Sequence, residues 1–501
     1  MTDHLSMDIP SVVQEEEHRQ QQLEADSDDE SDDDIKDHVD REALAALDQH
    51  TRRVLELERM QRMNRRRRKL NYLASIAPKL EILQNLPFFI PFRTRVEIFR
   101  EFVSNDQKTR RHGYSDPDQW RNFLHRNQEG HDMMSRQHAI IRRGREFDDA
   151  YKHYWPLGDR LKEPIQISFV DKFGQDEAGI DGGGVTKEFL TGVCGEAFTP
   201  DSEPLDPSPA NIVHNMFKAN ENHLLYPNPT SIDAMRYECS QRGMLSSDTA
   251  EQIEDLLQRY EFAGRILGKC LYEGILVDVA FAPFFLLKWS QPSSASAVGI
   301  NDLRDLDSVV YRSLMYLKEY DGDVEELGLT FSLDTEIAPG KIINRPLRKG
   351  GDQIAVTNQN RLEYIHLVSR YRLSGEQAVQ TDAFLRGLTA IIKPSWLRMF
   401  NQNELQTLVG GDMKSKVDIE DLRQNTVYGG LYDDDHPTIK LFWDVMEEFD
   451  GEQRGRVLKF VTSVSRPPLL GFRVLKPKFS IRDSGSDDQR LCSASEFNYL
   501  F

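Results

Sequence analysis

The segment FAGRILGKCLYEGILVDVAFAPFFLLKW, Phe262 to Trp289, decides the architecture of this chain. With Ile253, Leu256, Leu257 and Tyr260 ahead of it, its apolar residues recur at three- and four-residue intervals and spread almost round the helix. A helix that is apolar nearly all round belongs at the centre of a core, not on a surface. It does not span a membrane, because no uninterrupted apolar run reaches the ~18 residues required. Asp278 and Pro283 break its richest part, Val277 to Trp289. Cys270 within it reads as a small buried residue.

Upstream, His138–Arg143 and Ile165–Gly174 are strand-like and flank a helix near Phe147–Tyr154. Gly179, Gly182, Gly183 and Gly184 then precede helical periodicity from Thr186 to Phe198. A glycine run before a helix can cradle phosphate. Here GxxxxGK[ST] is missing, and Asp176, Glu177 and Asp181 would repel an anion, so the run reads as a tight turn. Further back, Phe92–Val103 predicts an amphipathic helix, and residues 104–135 read as a polar exposed insertion. NLPFFIPF, Asn85 to Phe92, reads as a docking segment at the edge of the globular body.

The first 45 residues predict disorder, since Gln-, Glu- and Asp-rich sequence cannot bury enough surface to offset ordering entropy. Glu24 to Asp40 holds ten carboxylates against Lys36, nearly half of the net charge of −19. Ser27 and Ser31 within it suit either a solvated acidic tail or acidophilic phosphorylation. Residues 46–85 predict a basic amphipathic helix. RMNRRRRKL, Arg62 to Leu70, is compatible with nuclear localisation, with pairing to the acidic tail, or with a solvated face. The body that remains is mildly acidic, which argues against a nucleic-acid partner. No basic region followed by an apolar run opens the chain, so no secretory signal is expected. Cys194, Cys239, Cys270 and Cys492 are scattered without a CxxC pair, which argues against a zinc framework and points to reduced thiols.

Downstream, Asp302–Tyr320 predicts a helix, Pro346–Thr357 a hairpin-like stretch, and Asn360–Leu373 a long helix. Asn403–Gly411 ends in a glycine stop. NTVYGGLYDDDHPT, Asn425 to Thr438, carries Gly429-Gly430, three aspartates and Pro437 between apolar segments, and reads as a hinge. The fold class that follows is α+β, with a large mainly helical body and a small α/β unit.

Neither a GxSxG elbow nor HExxH is present, and His366 reads as an ordinary helix residue. Thiol chemistry remains. Cys194 and Cys270 sit in apolar helices and read as inert. Cys492 lies in a polar segment with Arg490 nearby, which favours the thiolate.

In order along the chain, DEAGIDGGGVTKEFL, LLYPNPTS, FAGRILGKCLYEGILVDVAFAPFFL, YDGDVEELGLTFSL, IAVTNQNRLEYIHL, IIKPSWLRMF, TVYGGLYDDDHPTIKLFWDV and LKFVTSVSRPPLLGF resemble the HECT ubiquitin-protein ligases over residues 86–501. The likeness is to the branch that elongates ubiquitin chains on proteasome-associated substrates. It implies a bilobal domain, with an N-lobe at 86–425, a hinge at 426–438 and a C-lobe at 439–501. It implies no cofactor and no metal. Its partners would be ubiquitin, a ubiquitin-conjugating enzyme, protein substrates and the proteasome, without nucleic acid or membrane, in the cytoplasm or nucleus. Leu314, Leu317 and Tyr320 fall where the family binds the conjugating enzyme, and they read equally as core residues of an amphipathic helix. The family's nucleophile lies in a segment of the form RLPTASTC. Set without gaps on Arg490-Leu491, the matching RLCSASEFNYLF puts Cys492 on the proline and Phe497 on the cysteine; set on Phe497-Asn498, the cysteine is deleted. Two expectations follow. Either the terminus is truncated or altered relative to an active parent, or the chain is an inactive module that sequesters conjugating enzyme. Cys492 is the only stand-in nucleophile.

Overall fold

In a computed structural model, the described residues are 81, 83, 85–111, 138–170, 184–200, 216–290, 299–412, 416–462, 464–475, 478–483, 494–495 and 499–500. The acidic tail, the basic run at Arg62–Leu70 and the glycine run at 179–183 lie outside them. The chain divides into two compact units, Met1–Asp106 and Gln107–Phe501. In the first, Pro87 opens a 3-10 turn, Pro87–Phe89, where its missing N–H costs nothing. The Phe88 and Phe89 rings lie 4.8 Å apart, tilted by 31°, and are each 69% exposed. Helix α1, Phe92–Arg110, is the expected amphipathic helix, burying Val96, Phe99 and Phe102. It runs through the start of the segment read as a polar insertion.

The second unit opens with strands β1, His138–Arg142, and β2, Gln166–Val170, paired in parallel so that Ala139 faces Ile167 and Ile141 faces Phe169. Parallel strands need a crossover, and α2, Glu146–Tyr154, supplies it. Arg142 fixes the corner through Asp149, at 2.9 Å from Nε and 2.6 Å from Nη2. Next come α3, Gly184–Ala197, the short hairpin β3–β4, Phe217–Ala219 with Leu225–Pro227, and α4, Ser231–Gln241.

Helix α5, Ser246–Glu273, spans 28 residues and is central as its pattern predicts, but it stops short of Trp289: Gly274, with φ +78°, ends it, and the apolar run resumes as a separate helix at Pro283. Its partner is α9, Ala378–Ile391. Their backbones touch: a β-carbon at Gly387 would fall on the Glu261 carbonyl, and one at Gly264 on the Phe384 carbonyl. Glycine is required at both points because nothing larger fits between two helix backbones. Helix α6, Pro283–Ser290, adds Phe285 and Trp289 to an aromatic cluster with Phe198, Phe217, Phe281 and Phe384, ring centroids 4.8–6.5 Å apart.

Between α6 and α9 the chain makes an excursion through α7, Ser308–Glu319, the hairpin β5–β6, Ser332–Ala338 with Lys341–Pro346, and α8, Arg361–Arg370. Asp307 caps α7 by accepting from Val309 and Val310 N–H. The hairpin lies upstream of the stretch expected at 346–357, which instead forms a 3-10 turn and a bridge between Thr330 and Ala355. Helix α8 ends in a π-turn, Tyr371–Gly375, where Lys288 Nζ donates to the Leu373 carbonyl at 3.0 Å and ties the two ends of the excursion together. Helix α10, Gln402–Gly410, stops at Gly411 with φ +79°, as the glycine stop predicts.

A separate core follows, built from Val417, Leu422, Ile439, Trp443, Met446, Leu458, Val461, Phe472, Phe479 and Ile481. Helices α11, Ile419–Gln424, α12, Pro437–Glu448, and α13, Gly451–Thr462, cover a sheet of β7, Val427–Gly429, β8, Ser480–Arg482, β9, Ala494–Ser495, and β10, Tyr499–Leu500. The strand order is β7-β8-β10-β9, with β7 and β10 both parallel to β8. The bilobal α+β expectation holds. The expected hinge at 426–438 does not: Val427–Gly429 is a strand of this sheet, and Tyr428 Oη accepts from Trp443 Nε1 at 2.9 Å inside the second core. Val417 and Leu422 are buried in that same core, so the chain crosses from one core to the other between Gly411 and Val417.

Candidate functional site

Three of the four cysteines are closed to any reaction partner. Cys194 of α3 and Cys270 of α5 lie face to face, Sγ to Sγ 3.7 Å, at 1% exposure each, and Cys239 of α4 is fully buried. The hydrogen bond with Cys270, and then burial, push the Cys194 thiol well above its ordinary value, so its thiolate is disfavoured. The reading of Cys194 and Cys270 as inert holds. Cys492 lies outside the described residues.

β9 and β10, both drawn from RLCSASEFNYLF, pair antiparallel with Tyr499 opposite Ser495, and β10 continues the sheet beside Ser480 and Ile481 of β8. Ala494–Ser495 and Tyr499–Leu500 are therefore strands of the second core's sheet. Residues 496–498, including Phe497, connect the two strands and lie outside the described residues.

The helix expected to meet a conjugating enzyme presents a different face from the one named. Leu314 and Leu317 of α7 are buried, at 5% and 4% exposure, which corrects their reading as contact residues: a partner could reach them only by prising the helix away. Tyr320, just past the helix, is half-buried, with its ring 5.7 Å from that of Tyr316 and its carbonyl accepting from Arg361 Nη1 at 2.5 Å. The outward side carries Tyr316, 65% exposed, and Val309, 54% exposed, seven residues apart on one face. The spacing of Val309 and Tyr316 against Leu314 and Leu317 was available in the sequence. Which of the two faces is buried depends on α8, and so was not.

Other perturbed groups have structural explanations. Lys269 of α5 is 1% exposed, and burial lowers its pKa. Its ammonium is held by the Glu163 carbonyl at 2.9 Å and by Glu273 at 2.5 Å, so it is a satisfied core charge. Glu196 of α3 is pushed up to about 8, by burial first and then by the neighbouring Glu146 carboxyl, and it accepts from Phe147 N–H at 2.6 Å at the start of α2. Among the described residues no three His, Cys, Asp or Glu side chains gather to hold a metal, and no helix is long and apolar enough to cross a membrane.

A family model described as HECT-domain (ubiquitin-transferase) matches residues 208–500, from just before β3 to the last strand. A Schizosaccharomyces pombe protein named a probable E3 ubiquitin protein ligase is 42% identical over 430 residues, covering 85% of this chain and 36% of its own. E3 ubiquitin-protein ligase HUL5 of Saccharomyces cerevisiae is 38% identical over 418 residues, covering 83% of this chain and 41% of its own. Ubiquitin-protein ligase E3B of Homo sapiens is 38% identical over 413 residues, covering 81% of this chain and 34% of its own. The chain spans 34–41% of the length of these curated relatives.

Proposed function

Because the chain belongs to the HECT-domain (ubiquitin-transferase) family, we propose that it is a ubiquitin-protein transferase of the cytoplasm or nucleus, accepting ubiquitin from a conjugating enzyme as a cysteine thioester and passing it to substrate lysines. The observation that carries this reading is the extent of the match, which runs from residue 208, ahead of β3, through the second core to residue 500. It thus takes in the sheet to which RLCSASEFNYLF contributes two strands. Proteasome-associated substrates are the class that the resemblance to the chain-elongating branch supports.

The chemistry restricts who can act. A thioester forms when a thiolate attacks the carbonyl of an incoming thioester and expels the conjugating enzyme's own thiolate, so the sulfur must be reachable. Cys194, Cys239 and Cys270 are not, which leaves Cys492. Phe497, at the family's nucleophile position in the ungapped alignment, has no atom that could form the bond. That substitution favours a second reading, a module that binds conjugating enzyme without transfer. In either reading the conjugating enzyme meets α7 through Val309 and Tyr316, with Leu314 and Leu317 holding the helix in place and Tyr320 at its edge.

Incubation with activating enzyme, conjugating enzyme and labelled ubiquitin separates the readings. A reductant-sensitive adduct lost in Cys492→Ser supports transfer by this chain. No adduct, together with conjugating-enzyme binding weakened by Tyr316→Asp, supports the binding module. Absence of both adduct and binding refutes the functional reading.

A further inference from the structure

The two cores of the second unit meet at a socket built for a cation. Helix α10 ends at Gly410, where unpaired carbonyls carry the negative end of the helix dipole. Asp278 stands beside it and is lashed on both sides: Val277 N–H donates to the Val409 carbonyl at 3.0 Å, and the Gln406 amide donates to the Val279 carbonyl at 2.7 Å. The cation comes from the other core. Arg466 Nη1 donates to the Gly410 carbonyl, and Nη2 donates to Asp278 Oδ1 at 2.7 Å. A β-carbon at Gly410 would meet that guanidinium at 2.8 Å, and one at Gly411 would meet the Arg466 β-carbon at 3.2 Å, so the glycine pair leaves room for the arginine. Arg466 is held equally well from its own side. The Thr462 hydroxyl lies 2.8 Å from the Leu458 carbonyl and 3.1 Å from that of Val464, and Pro467-Pro468 stiffens the chain beyond.

We propose that Arg466 is a positioning residue, a latch that seats the second lobe on the first through Gly410 and Asp278 and so sets the orientation that lobe takes across the Gly411–Val417 crossing. The contact is a charge-assisted pair of hydrogen bonds in which the arginine side chain is 19% exposed and the aspartate 64%. It is strong enough to select an orientation and weak enough to release. Its importance for transfer rests on the reading above, since a lobe that receives a group from one partner and delivers it to another must turn. The latch itself does not depend on that reading.

The test uses the full chain with Cys492→Ser, spin-labelled at Glu251→Cys on α5 and Lys459→Cys on α13, and reads the distance distribution between the labels. One dominant distance is expected for the parent. Arg466→Gln should move the population out of it by about fivefold or less, and Arg466→Lys by less again, because a point charge satisfies only one of the two acceptors. Asp278→Asn should act in the same direction, and its combination with Arg466→Gln should add nothing, as for two ends of one interaction. An unchanged distribution in Arg466→Gln, or additive effects in the pair, overturns the latch. Should Arg466→Gln fail to fold, Asp278→Asn on the exposed side of the socket decides the matter alone: a shifted distribution supports the latch and an unchanged one overturns it. No step requires ubiquitin transfer, so if the parent chain with Cys492 intact forms no thioester while the labelled chain answers to Arg466, the transferase reading falls and the latch stands.

Discussion

Replacing Gly387 with alanine tests the feature on which the first core depends. In an ordinary helix this substitution helps, since alanine is better than glycine by about 1 kcal/mol. Here the added β-carbon would fall on the Glu261 carbonyl and within 2.9 Å of the Arg265 backbone nitrogen. A β-carbon has no torsion by which to escape, and the obstacle is helix backbone, so α5 and α9 must separate along a seam that also carries Gly264 and Gly268. Overpacking of this kind costs typically 1–3 kcal/mol, and a backbone clash belongs at the top of that range, about 3 kcal/mol. Subtracting the helix gain leaves a net loss of about 2 kcal/mol. At roughly 2 °C per kcal/mol for a body of this size, the thermal transition of the first core should fall by about 4 °C or somewhat more. Gly195 of α3 supplies the internal control. It is exposed and helical, and a β-carbon there meets nothing within 4 Å. Gly195→Ala should therefore raise the same transition slightly, by up to about 1 kcal/mol. Calorimetry of the two variants beside the parent reads both signs. If Gly387→Ala is neutral or stabilising, the backbone-to-backbone crossing of α5 and α9 is wrong.

Tyr428→Phe removes the acceptor of the buried Trp443 indole N–H, and should destabilise the second core by about 1–3 kcal/mol while leaving the first unchanged, as resolved by hydrogen exchange. Glu196→Gln should flatten part of the pH dependence of stability. The folded-state pKa of Glu196 is raised to about 8 from an unfolded value near 4.5, so its contribution is full below pH 4.5 and is lost as pH rises towards 8. The glutamine variant keeps the acceptor for Phe147 N–H and should lose less stability between pH 5 and 8; equal slopes in the two proteins would refute the buried-carboxyl account. Cys194, Cys239 and Cys270 should resist alkylation in the folded chain and all react in denaturant, and mass spectrometry showing any of them modified under native conditions would contradict their burial.

The first core was readable from sequence because its signals are local. The near-continuous apolar character of Phe262–Trp289 names a central helix, though not its break at Gly274, and Gly411 names the end of another. The lobe boundary was not readable in the same way. Gly429-Gly430 and Pro437 mark a reversal of the chain, and Gly430 indeed has φ +75° at close quarters with Asp483. Turn residues do not say whether the segments on either side share a core. That is decided by Val417 and Leu422 packing with Trp443 and Phe479, partners distant in sequence. The site divides along the same line. The inertness of Cys194 and Cys270 follows from their apolar helices, and the two-sided pattern of α7 is visible in its spacing. The inward burial of Leu314 and Leu317 and the reach of Arg466 to Asp278 are contacts between elements, which a single sequence does not display.

The tie from Lys288 to the Leu373 carbonyl gives the stretch between α6 and α9 the standing of a cassette. α5 and α6 precede it in the chain, and α9 closes the seam after it ends. What the tie holds is a pair of nearby anchor points from which α7, the β5–β6 hairpin and α8 are hung together. The stretch is tied to the framework at further points as well, through Arg345 to Asp233 of α4 and through the Ser308 hydroxyl to Glu221 at 2.8 Å, so it is seated along its length and not at its ends alone. In evolutionary terms, the exposed Val309 and Tyr316 face is freer to change than the buried seam.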